Sequence, residues 1–218
     1  MRLSDLKAGS NTKQTLLLPV ASHYPIEMTV ICGSCPGKNP FVVTAGVHGC
    51  EYVGIETLNR LKKELDPIDL SGRIILLPLV NPEGFYMGSK QIIPADGQNL
   101  NRTFPGDPEG TFSSRLAKLL EETLYPEADF LIDLHGGDVN EALTPLVFFP
   151  TTVSDALAAK ASAAAASLSI PYRVASTAKN GLYSWAAQCG IPALLAERGE
   201  RGLWCEDEVT AAKGIFLS

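Results

Sequence analysis

Phe41 to Val47 is a near-continuous run of apolar and β-branched residues, and it leads almost at once into Glu51 to Leu65, where Val53, Ile55, Leu58, Leu61 and Leu65 are apolar with polar residues between them. A run with so little polar alternation reads as a strand buried on both faces, and the spacing that follows reads as one apolar side of a helix. The same couplet recurs. Arg73 to Val80, Asp129 to Leu134, Pro145 to Phe149, Tyr172 to Ala175 and Pro192 to Ala196 read as strands. Thr111 to Leu124, Ser154 to Leu168, Leu182 to Gln188 and, weakly, Asp207 to Lys213 read as helices. Alternation of this kind predicts an α/β fold, a mixed, mostly parallel twisted sheet flanked by helices. Ahead of it, Thr15 to Val20 and Ile26 to Cys32 flank a polar stretch at Ser22-His23 and read as an opening hairpin.

One segment breaks the pattern. Asn81-Pro82-Glu83-Gly84 stops the strand before it, and from Asn81 to Gly110 there is little periodicity and much glycine, proline and polar character. A loop of that length within a compact domain is usually functional.

Several classes of protein are excluded by composition. A length of 218 residues fits one domain spanning 1–218. The formal charge is −6, and the 18 lysines and arginines are scattered, so there is no basic stripe for nucleic acid. No apolar run approaches the ~20 residues of a membrane-spanning helix. Met1 to Ser10 carries Arg2 and Lys7 without the apolar stretch of a secretory leader, and the five cysteines are an odd number, which together predict a cytoplasmic, reducing location. Cys32-Gly33-Ser34-Cys35 runs into Pro36-Gly37 and reads as a turn, while Cys50, with no spare histidine to activate it, reads as packing.

The chemistry gathers at strand ends. His48-Gly49-Cys50-Glu51 follows the strand Phe41 to Val47, and His135 follows the strand Asp129 to Leu134 and precedes Gly136-Gly137. Open α/β sheets place ligands at this edge. His48, Glu51 and His135 are the donors a catalytic zinc takes, two imidazoles and a carboxylate with a fourth position open. His23 reads as an ordinary polar cap. In the long loop, the Arg102 guanidinium suits a bidentate carboxylate, with the Asn101 amide beside it, although an arginine also pins its own loop. Glu197 ends the buried run Pro192 to Ala196, where burial raises a carboxyl pKa towards that of a general base; the alternative is an exposed pair with Arg198 or Arg201.

These stretches, together with Asn81-Pro82-Glu83-Gly84-Phe85, Asp96-Gly97-Gln98-Asn99-Leu100-Asn101-Arg102-Thr103-Phe104-Pro105-Gly106 and Asp133-Leu134-His135-Gly136-Gly137, resemble in order the succinylglutamate desuccinylase/aspartoacylase branch of the zinc carboxypeptidases. The resemblance runs from about Phe41 to about Gly199. It implies a zinc-carboxypeptidase-like fold and one zinc per chain. It also implies Glu197 as the catalytic base, with Asn101 and Arg102 on the substrate carboxylate. The implied activity is zinc-dependent hydrolysis of the amide bond in a small N-acyl amino acid. Carboxypeptidase action on peptide ends and an inactive metal-binding module stay open, as does association into a homo-oligomer. Two departures from the family stand out. Lys90-Gln91 occupies the neighbourhood where the family usually has a carbonyl-polarising arginine, so Lys90 is the candidate point charge there. The chain also stops at Ser218, where members commonly continue into a small β-rich C-terminal domain.

Overall fold

The computed structural model describes residues 9–20, 24–36 and 40–217, so His23, Arg2 and Lys7 lie outside the described residues. Its strands are β1 (Thr12–Leu18), β2 (Ile26–Cys32), β3 (Pro40–Ala45), β4 (Arg73–Leu77), β5 (Phe130–His135), β6 (Leu146–Pro150), β7 (Tyr172–Ser176) and β8 (Ala193–Glu197). They form one eight-stranded sheet in the order β1-β2-β4-β3-β5-β8-β6-β7. The centre is parallel, with β3 between β4 and β5 and with β5 beside β8; β6 and β7 are parallel as well. The β1–β2, β2–β4 and β6–β8 pairings are antiparallel. The expected mixed sheet with its opening hairpin is what forms.

Strand alternation sends successive side chains to opposite faces, and both faces are covered. Val42, Ile75, Leu77, Leu131 and Leu195 pack on one side against Leu116, Leu120 and Leu124 of α3 (Phe112–Leu124) and Leu182 and Ala186 of α5 (Leu182–Gln188). Val43, Ile74, Leu76, Ile132 and Leu194 pack on the other against Ile55, Leu58 and Leu61 of α1 (Tyr52–Glu64). That side is completed by Ala161 and Ala165 of α4 (Asp155–Ser167) and Ile215 of α6 (Glu206–Leu217). This two-sided burial is why the central strands read as apolar runs. Among the described residues no helix is long and apolar enough to cross a membrane.

The structure corrects the sequence reading of residues 81–110 and of the last helix. Residues 81–110 contain local structure: Pro82–Tyr86 forms a short helix, α2, and Leu100–Arg102 a 3-10 turn. The Asn81 side chain accepts the Gly84 amide at 2.9 Å, and Pro82 sits in the first helical turn, where its missing N–H costs nothing. Asn-Pro here starts a helix as well as stopping a strand. Helix α6 also runs past Lys213, because Ile215 and Phe216 pack on the core.

Candidate metal centre and its cleft

The carboxyl ends of three neighbouring parallel strands, β3, β5 and β8, open onto one edge of the sheet, and each delivers a residue there. Beyond β3 the chain turns through His48 and Gly49 to Glu51, which sits at the N-cap position of α1 without making a side-chain capping hydrogen bond. His135 is the last residue of β5, in register with Glu197, the last of β8. His48, Glu51 and His135 are buried, and one donor atom from each lies within 4.8 Å of the others.

The Glu51 carboxylate joins the two imidazoles. Its Oε1 is 2.6 Å from His48 Nδ1, and its Oε2 is 2.9 Å from His135 Nδ1 and accepts the Gly136 amide at 3.1 Å. On each ring the other nitrogen faces an oxygen: His48 Nε2 is 3.1 Å from Asn99 Oδ1, and His135 Nε2 is 2.9 Å from Asp133 Oδ2. Asp133 is itself held by the Thr44 hydroxyl, which donates to Oδ1 at 2.7 Å. Each imidazole is thus oriented by a partner behind it, the arrangement that fixes tautomer and aim in metal sites. Burial alone would raise the Glu51 carboxyl, but the two imidazoles outweigh it and hold the group at about 2. Burial works in the opposite sense on His135 and would lower its pKa; Asp133 and Glu51 overcome this and raise it well above the usual value. Two imidazole nitrogens and an ionised carboxylate oxygen, converging and backed by further hydrogen bonds, fit a divalent metal of zinc type.

The centre opens into a cleft of about 570 Å³, within the usual size of small-molecule sites. Glu197 lines it, and burial, reinforced by the nearby carboxylates, pushes its pKa up to about 7 against the pull of His135. Among the described residues Glu197 forms no ion pair, and Arg198 goes to Glu208 and Arg201 to Glu200. Asn101 and Arg102 also line the cleft. Asn101 is buried, and its carbonyl accepts the Leu182 amide at 3.0 Å, anchoring the start of α5. Arg102 is exposed, donates from one guanidinium nitrogen to Asn101 O at 2.7 Å, and forms no ion pair among the described residues.

Lys90 does not become the cleft's point charge. Its Nζ is 3.1 Å from the buried carboxylate of Asp138, and Gln91 lines the cleft in its place. Cys50 is buried, and burial pushes its thiol up, in keeping with packing. Sequence reasoning gave no role to Asp133 and Asn99, which hold the two imidazoles, or to Tyr183 and Glu141, which line the cleft. Only Asp133 carried a local signal: two residues before His135 on one strand, it shares that histidine's face. The glycines near the centre serve close approach. A Cβ on Gly49 would fall on the backbone of Gly84 and Phe85 in α2. Gly49→Ala is therefore expected to lower stability by ~1–3 kcal/mol, read as a reduced midpoint in chemical denaturation, through overpacking beside the candidate metal site.

The family model of the succinylglutamate desuccinylase/aspartoacylase catalytic domain matches residues 38–217. Among curated proteins, the N-alpha-acetyl-L-2,4-diaminobutyric acid deacetylase of Halomonas elongata is 40% identical over 102 residues, which is 46% of this chain and 30% of that protein. A succinylglutamate desuccinylase/aspartoacylase structure from Rhodobacter sphaeroides is similar with a TM-score of 0.84 at 30% identity, covering 97% of this chain and 65% of that one. The product-bound ectoine utilization protein EutE from Ruegeria pomeroyi has a TM-score of 0.84 at 26% identity, covering 97% and 68%. The chain spans about two thirds of the length of these solved relatives.

Proposed function

The chain belongs to the succinylglutamate desuccinylase/aspartoacylase family, and from that premise we propose that it is a zinc-dependent deacylase that hydrolyses the amide bond of an N-acyl amino acid. The observation that carries this reading is the convergence of His48, Glu51 and His135 in a cleft that also holds Glu197. These three residues would hold one zinc ion. When bound there, zinc supplies a Lewis acid that polarises the amide carbonyl and acidifies water.

The chain's own residues do the rest. Glu197, with its pKa lifted to about 7, takes a proton from the attacking water and returns it to the leaving amine. Asp133 and Asn99 keep the two imidazoles aimed. Arg102, free of any carboxylate partner among the described residues, binds the substrate carboxylate. The NH2 group of Asn101 assists, because its carbonyl is already engaged by Leu182. Residues 1–218 act as one catalytic domain, and the five free thiols suit a reducing, cytoplasmic setting.

Metal analysis paired with hydrolysis assays tests the reading. Short N-acyl amino acids should be cleaved, with the curated relative's N-alpha-acetyl-L-2,4-diaminobutyric acid among the first to try. Cleavage confined to small peptides would favour a carboxypeptidase, and zinc binding without any hydrolysis would favour an inactive module.

The carboxylate clamp has its own test, in which each substrate is compared with its carboxamide analogue. Wild type should prefer the acid by ~1.5–3 kcal/mol, about 10- to 150-fold in kcat/KM, and Arg102→Ala should lose most of that preference. An undiminished acid preference in a destabilised Arg102→Ala protein would reduce Arg102 to a loop pin.

A further inference from the structure

Glu51, Arg102, Glu141 and Glu197 are the charged carboxylate and guanidinium side chains that line the cleft. Glu51 faces the histidines and Glu197 serves as the base, so one cation and one anion are left without a catalytic task. The two do not neutralise each other. Among the described residues neither Arg102 nor Glu141 takes part in an ion pair, although ion pairs form close by at Lys90–Asp138 and Arg201–Glu200. Glu141 uses Oε2 to accept the Asp138 amide at 3.1 Å and stands exposed at the cleft. Backbone contacts fix the loop that carries it: the Glu141 amide donates to Asp138 O at 2.9 Å, and Glu141 O accepts the Arg201 amide at 2.8 Å. A held carboxylate and a separate guanidinium, both unpaired in one cleft, complement a ligand that itself carries an ammonium and a carboxylate apart from each other.

We propose that Glu141 is a specificity-determining residue that pairs with a positively charged side chain on the amino acid half of the substrate, which makes this a deacylase of N-acyl diamino acids. The proposal rests on the N-acyl amino acid reading and narrows it. The same carboxylate repels an acidic side chain, so N-acyl derivatives of aspartate and glutamate are disfavoured. Phe148, Leu143 and Leu195 also line the cleft, giving the aliphatic part of a diamino acid side chain an apolar wall.

The test compares Nα-acetyl-L-2,4-diaminobutyrate with Nα-acetyl-L-norvaline, in which a methyl replaces the ammonium at nearly the same size, on zinc-loaded wild type and Glu141→Gln. Glutamine keeps an oxygen to accept the Asp138 amide, so the loop is preserved. Wild type should favour the cationic substrate by about 10- to 100-fold in kcat/KM, and Glu141→Gln should bring the ratio to within about threefold of unity, with the change carried by KM. Nα-acetyl-L-glutamate should gain in the variant. A ratio that survives Glu141→Gln, or a wild type indifferent to the ammonium, overturns the proposal. Calorimetric binding of free L-2,4-diaminobutyrate and L-norvaline to the same two proteins separates this result from failure of the deacylase reading. If neither substrate is cleaved, a binding preference lost in Glu141→Gln still supports the role of Glu141, and the absence of that preference refutes it.

Discussion

Zinc-loaded protein is expected to hold about one metal ion per chain and His135→Ala less than about a tenth of that, with hydrolysis falling in step. The size of the effect follows from the donor count. Removing one of three protein ligands leaves His48 and Glu51, and a pair of donors on one turn does not make a tetrahedral zinc site. The orienting residues should respond in a graded way. Asp133→Asn keeps a hydrogen-bonding oxygen behind His135 but removes the charge, and such changes commonly cost ~10–100-fold in metal affinity. Metal content by elemental analysis, after dialysis against a weak chelator, checks both variants. Full zinc retention in a folded His135→Ala protein would move the site elsewhere, and circular dichroism confirms that loss of metal is not loss of fold.

The legible parts of this molecule are those in which a local pattern and a tertiary role coincide. The parallel core strands could be read because they are buried on both faces, so Val42-Val43 and Ile74-Ile75 are apolar in succession. His48, Glu51, His135 and Glu197 were visible as candidates because each lies at or just after a strand end. Other features depend on distances no local pattern encodes. Whether Arg198 pairs with Glu197 or with Glu208 is decided by where α6 docks, and its docking on the apolar core also lengthens that helix beyond its weak periodicity. Lys90 and Asp138 are 48 positions apart in the chain and meet only once the loops fold together. Glu141 is placed by its turn with Asp138 and by a backbone bond from the distant Arg201, and the second of these is not written in the sequence near residue 141. In residues 81–110 the difference is of another kind, because Asn81-Pro82 is a helix start as well as a strand stop, with the Asn81 side chain accepting the Gly84 amide.

Glu197→Gln is expected to keep the fold and the zinc while turnover drops ~10²–10⁴-fold. Glutamine preserves the shape and volume of the side chain but lacks the basic oxygen that accepts a proton from water. The structural alternative makes the opposite forecast. An exposed strand-end glutamate is worth little, and its replacement would leave turnover near wild type. Several observations favour the larger effect. Glu197 lines the cleft beside the proposed metal ligands, forms no ion pair among the described residues, and is held by burial at a pKa near the working range of a base. Because the amide removes a buried acid that is costly to ionise, the variant should be as stable as wild type or slightly more so, which guards against reading a folding defect as a catalytic one. The decisive data are kcat and KM for an N-acyl amino acid, measured beside zinc content and thermal midpoint. A fall in kcat with KM, zinc and midpoint held assigns Glu197 to the chemical step, whereas near wild-type turnover at full zinc occupancy would return it to a structural carboxylate and require another base in the cleft.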